Sequence, residues 1–133
     1  MSLNNRMDII DSRDVERLLE FLEDELEIFR DEEGDIIEPE GGIPENHANT
    51  FREWKIIRSL SNEGSMNAGD WDSCAMIRQS YFTEYCKEML QECGDLPKDI
   101  PWYIAIDWEM TSENMMQDYV EVDYVGVTYY VRS

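Results

Sequence analysis

Positive charge is scarce in this chain. Eleven Lys and Arg residues face 31 Asp and Glu across 133 residues. Nucleic-acid binders carry a basic stripe, and membrane-surface binders carry clusters of Lys and Arg. The composition therefore excludes direct contact with nucleic acid or with a membrane surface. Histidine is scarcer still, with His47 alone beside Asn46 and Asn49. A His-based metal site or a Ser-His-Asp triad needs partners that are not there. Cysteine is limited to Cys74, Cys86 and Cys93, an odd number without C-x-x-C spacing. These read as reduced thiols in a cytoplasm, most simply as small buried apolar groups. No run approaches the ~20 apolar residues of a membrane span, and no charged-then-apolar leader signals secretion.

Motifs for small-molecule chemistry are missing too. There is no P-loop and no G-x-G-x-x-G. Asp31, Glu33 and Asp35 imitate the opening of a calcium loop. Ile36 stands where that loop requires glycine, and Gly42 where it requires glutamate. Carboxylate pairs are so numerous that none marks an acid/base pair. The expectation is a protein that is not an enzyme, with no cofactor, no catalytic residue and no metal ligand set.

What abounds is negative charge, a formal net of −20. A small domain stays soluble at a magnitude of roughly 2 to 8, and the excess repels itself. The surplus calls for a reason beyond solubility. A hydrophobic share of 42% and an aromatic share of 11% supply a core and argue against full disorder. The length fits a single domain, 1–133.

Residues 1–11 read as a flexible N-terminus. Asp11 and Ser12 then offer a helix cap. Val15, Leu18, Leu19, Leu22, Leu26 and Phe29 fall on one face at helical period. The pattern predicts a helix over 12–32, stopped by Gly34. Residues 34–46, with Glu38, Pro39, Glu40 and Pro44, read as an acidic loop. Thr50-Phe-Arg-Glu53 matches a capping box and predicts a second helix ending near Ser61, followed by a loop over 62–71. A third helix is expected over about 72–93, with Gly94 closing it. Pro97 and Pro101 frame a turn. Trp102–Ile106 reads as a short strand or an extended lead-in to a fourth helix over 107–118. Two strands, 120–124 and 127–131, form a hairpin about Val125-Gly126. The fold class is α+β, with three to four helices and a small C-terminal antiparallel β-hairpin or three-stranded sheet.

Opposite the apolar stripe of the first helix stand Glu16, Glu20, Asp24, Glu27 and Asp31. Their spacing of three and four residues separates them by about 4.5–6 Å along the axis. That is close to the separation of phosphates along a DNA strand, so such a ridge can offer itself to a Lys/Arg channel. Like charges at i,i+4 cost a helix a few tenths of a kcal/mol per pair, and this helix accepts that repeatedly. The plainer account is a solvated helix face. One helix carries about one net charge per ~5 Å against one per ~1.7 Å of duplex, so mimicry needs further acids from the loop, other helices or a second subunit. Phe21 and Ile28 lie off the stripe. They either widen the core contact or form the self-association edge of a homodimer. The aromatics, among them Trp54, Trp71, Trp102, Trp108 and Tyr124, read mainly as core, with some free to anchor an interface.

The C-terminal half carries a resemblance. Asp70-Trp71 leads to Ile77-Arg78-x-Ser80-Tyr81-Phe82-x-Glu84-Tyr85, then Ile106-Asp107-Trp108-Glu109, Met116-x-Asp118-Tyr119 and Val122-x-Tyr124-x-Gly126-Val127-Thr128-Tyr129. This is similar to small acidic proteins of phage and prophage origin. The Ile-Asp-Trp-Glu…Asp-Tyr…Gly pattern also resembles the end of ArdA-type antirestriction proteins. Those are acidic DNA mimics that occupy the DNA channel of restriction-modification enzymes. The likeness spans roughly residues 70–132 and implies a bacterial cytoplasm and a defence-related target. The acidic first helix lies outside it. The expected function is a non-enzymatic acidic binding protein whose partner is a basic protein surface, such as that of a restriction enzyme. The alternatives are an adaptor acting through its aromatic surface without DNA mimicry, or a divalent-ion binder using the loop at 31–45.

Overall fold

The computed structural model describes residues 3–33, 35–37, 41–94 and 100–133. Strand β1 (Ile9–Asp11) leads directly into helix α1 (Ser12–Glu25). A two-stranded hairpin follows, β2 (Phe29–Arg30) with β3 (Ile36–Ile37). Helix α2 (Ala48–Asn67), β4 (Ala75–Arg78), α3 (Phe82–Glu92) and α4 (Trp108–Met115) come next. Strands β5 (Tyr119–Tyr124) and β6 (Val127–Arg132) close the described chain. The fold is α+β, with an antiparallel sheet in the order β1-β4-β6-β5.

Helices lie on both faces of that sheet. One face presents Ile10, Met76, Val122, Tyr124, Tyr129 and Val131 to a core shared with α1 and α2. Val15, Leu18, Leu19 and Leu22 enter it from α1, and Trp54, Ile57 and Leu60 from α2. The other face is smaller. Phe82 packs its ring edge-on against Tyr130 and Tyr119, with centroids 4.9 and 5.0 Å away. Burying Phe82 to 1% exposure contributes about 1.5–3 kcal/mol. Helix α4 docks on α3 through a hydrogen bond between the Thr83 and Ser112 hydroxyls at 3.1 Å.

The cap at Asp11 forms as the sequence predicts, its carboxylate accepting the Arg13 N–H at 2.9 Å. Ser12 then ties α1 to the sheet. Its N–H donates to the Cys74 carbonyl, and its hydroxyl accepts the Cys74 N–H. The predicted C′ glycine of α3 is Gly94, at φ 75°. The hairpin turn sits at Val125-Gly126, with φ of 49° and 79°.

Five expectations are corrected. The segment 34–46 is not all loop, because Ile36–Ile37 pairs with Phe29–Arg30. Ile9–Asp11 is not part of a flexible N-terminus, because it pairs with β4 from Ile9↔Ile77 to Asp11↔Ala75. Helix α1 ends at Glu25 rather than near residue 32. Glu27 takes a left-handed conformation at φ 55°. The Ile28 N–H returns to the Glu23 carbonyl and that of Glu27 to Asp24, the pairing that ends a helix in a Schellman motif. Ile28, 4% exposed, supplies the apolar contact of that motif. Helix α2 starts at Ala48 behind a 3-10 turn, so Thr50 is interior and its capping box is unused, and the helix runs on through Gly64 to Asn67. A strand, β4, replaces the first part of the expected third helix. Of the two readings of Trp102–Ile106, the lead-in holds and the strand does not. The Ile104 N–H closes a turn onto the Pro101 carbonyl, and the extended lead-in ends at the Asp107 cap. Gly34, Glu38, Pro39, Glu40 and Pro97, expected in the loop and the turn, lie outside the described residues.

Candidate acidic docking surface

The five ridge carboxylates do not share one helix face. Glu16 is turned into the molecule, where its Oε1 accepts the Trp71 indole N–H at 2.7 Å and the Ser61 hydroxyl. It joins α1 to α2 and to the 3-10 turn Trp71–Ser73. Glu20 and Asp24 are exposed on α1. Glu27 sits beyond the helix end, and Asp31 lies in the β2–β3 turn. The Asp31 Oδ1 accepts the N–H groups of Glu33 and Asp35 at 2.9 and 2.8 Å, so its carboxylate helps to shape the turn.

Arginines interrupt the outer face of α1. At ~100° per residue, Arg13 and Arg17 point within about 60° of Glu20. They pair with Asp11 at 2.7 Å and Asp14 at 3.2 Å. The uncompensated charge therefore concentrates at the other end of the helix. Asp24, Glu25, Glu27, Asp31, Glu32, Glu33 and Asp35 are all exposed. The one cation among them, Arg30, is drawn back onto Glu23 by two hydrogen bonds of 3.2 and 3.1 Å. A helix C-terminus is already the negative end of the backbone dipole, and the last turn of α1 carries no basic residue. Each carboxylate placed there costs a few tenths of a kcal/mol or more.

Acids elsewhere, such as Glu84, Glu88, Glu109, Glu113 and Glu121, spread over the remaining surface. Three of the cations lie together. Arg52, Lys55 and Arg58 follow one side of α2, with Lys55 4.4 Å from the Phe51 ring centre and Arg58 5.2 Å from that of Trp54. Among the described residues, none of the three lies within ion-pair distance of a carboxylate. The molecule is thus acidic at the α1 end and hairpin, and locally basic along α2.

The open alternatives also acquire geometry. Phe21 stays 52% exposed while Ile28 is core. Trp102 and Tyr103 are 94% and 72% exposed and meet edge to face at 5.8 Å, so they are not core residues. Sequence periodicity had no means of separating them from the buried aromatics. His47 closes the 3-10 turn before α2. Burial pushes the Cys74 and Cys86 thiols up from their ordinary value. Among the described residues no three His, Cys, Asp or Glu side chains converge to hold a metal ion. No described helix is long and apolar enough to cross a membrane.

Set against family models, curated proteins and solved structures, the chain matches none of them.

Proposed function

We propose that this is a non-enzymatic acidic binding protein that occupies a Lys/Arg-lined groove of a DNA-binding enzyme, in the manner of a DNA mimic. The carrying observation is the exposed run from Asp24 to Asp35, seven carboxylates whose single cation is tied to Glu23. Glu20 extends this run along α1. Glu16 serves the fold, and Glu27 and Asp31 contribute from outside the helix. Carboxylates here replace phosphates in the partner's contacts. Long-range attraction speeds encounter, and affinity falls steeply with salt. The phage-type and antirestriction resemblance favours a restriction enzyme as target and a bacterial cytoplasm as location.

The test is a pull-down from bacterial lysate at low salt with graded salt elution. DNA-processing enzymes should elute at intermediate salt. Reversal of Glu20, Asp24 and Glu27 to Lys together should abolish their recovery and their inhibition while the fold stays intact. Unchanged recovery by the reversed variant would overturn the reading. A second reading, an adaptor working through aromatic contacts, is favoured by one observation, the near-complete exposure of Trp102. Its complexes would weaken little as salt rises.

A further inference from the structure

The β2–β3 hairpin has two unlike faces. Successive side chains on a strand point to opposite sides. On the inner side Ile36 packs on the main core and Arg30 folds back onto Glu23. On the outer side Phe29 pairs with Ile37 across the strands, at 63% and 50% exposure. Leaving such side chains in water forgoes the stabilisation that full burial would supply. The surrounding positions are carboxylates: Glu27 at the root, and Asp31, Glu32, Glu33 and Asp35 at the tip, all exposed. An apolar centre inside a charged rim is the usual anatomy of a specific protein interface, and aromatic residues are its common anchors.

We infer that Phe29 and Ile37 seat in an apolar pocket rimmed by lysine and arginine on another protein. The inference rests on the acidic-binding reading and deepens it by naming what the partner must offer besides charge. The rim decides between occupants. A second copy meeting hairpin to hairpin would oppose like-signed rims, and one offering Arg52, Lys55 and Arg58 of α2 would still bring a net −20 into contact. An anionic lipid surface would be repelled for the same reason. Bare phosphate mimicry leaves the apolar pair without a use. A cationic protein surface with an apolar floor uses both features.

The experiment titrates the full chain with two synthetic peptides of equal charge, one alternating Lys with Gly and one alternating Lys with Leu, by calorimetry near 150 mM salt. The Lys/Leu peptide should bind about tenfold more tightly. Phe29→Ser combined with Ile37→Ser should remove that preference and leave Lys/Gly binding unchanged, with thermal unfolding confirming the fold. Phe29→Leu should keep the preference. Equal affinity for the two peptides overturns the inference. So does a preference that survives the double substitution, or one that disappears in Trp102→Ala instead. Failure of both peptides to bind even at low salt would remove the acidic-binding reading, and this inference with it.

Discussion

The Trp71 indole N–H donates to Glu16 Oε1 at 2.7 Å, across 55 residues of chain. The same oxygen accepts the Ser61 hydroxyl. One carboxylate therefore satisfies polar hydrogens from α2 and from the turn after it. Glu16→Ala would strand both donors and should cost about 1–3 kcal/mol in urea unfolding. Glu16→Gln keeps an acceptor and should cost less. Neither should change the salt dependence of partner binding, whereas the reversal of Glu20, Asp24 and Glu27 should.

Gly64 exists for the same tryptophan. A Cβ at this position would lie 2.3 Å from the Trp71 ring. Gly64→Ala should therefore destabilise by about 1–3 kcal/mol, although alanine is the better helix former. A red shift of tryptophan emission should accompany it as the indole is displaced toward water.

Two side chains occupy left-handed backbone that suits other residues better. Val125, at φ 49°, holds the first turn position of the β5–β6 hairpin, where asparagine is favoured. Val125→Asn should stabilise by about 1 kcal/mol. Glu27→Gly relieves the same kind of strain at the end of α1 and should raise the denaturation midpoint. It also deletes a rim carboxylate, so stability should rise while partner affinity falls.

The pH dependence has a sign at each end. Hydrogen bonds from Arg13 hold Asp11 down at about 2, against an ordinary 3.8. A lowered carboxyl pKa gives stability that is present above about pH 4 and lost as pH falls toward 2. Asp11→Ala should flatten that part of a stability–pH curve. Burial pushes Tyr119 up to about 12 and raises Tyr124 and Tyr129. Their contribution is present below pH 10 and lost as pH climbs toward 12. Tyr119→Phe should reduce the alkaline loss, as followed by denaturant titration at several pH values.

Local signals were legible where a residue acts on its neighbours. Asp11 caps a helix, Gly94 ends one, and Val125-Gly126 turns the hairpin. Features set by distant partners were not. Met76 and Ile77 in β4 are buried on opposite faces of a central strand. A strand this short, covered on both sides, lacks the alternation that would separate it from helix. β1 acquires its structure only by pairing with β4. The early end of α1 left one trace, Ile28 off the apolar stripe, because a glutamate fills the place usually held by glycine. In the site, Glu20 and Asp24 point outward as their spacing predicts. Glu16 lies at the edge of that face, and only the arrival of Trp71 and Ser61 turns it inward.

The strand order β1-β4-β6-β5 also bears on how the chain assembles. Residues 9–11 hydrogen-bond to 75–77, and 77–78 to 129–130, so the sheet joins segments from the two ends of the described chain. Only the β5–β6 ribbon is built from neighbours. Closing such long loops is slow relative to forming helices or a hairpin. In chain order, the apolar stripe of α1 can meet α2 and the β1–β4 pair first, and its sheet layer is complete only with β5 and β6. Until then the uncovered part of the stripe is open to wrong contacts, which the chain's net −20 opposes through repulsion between copies.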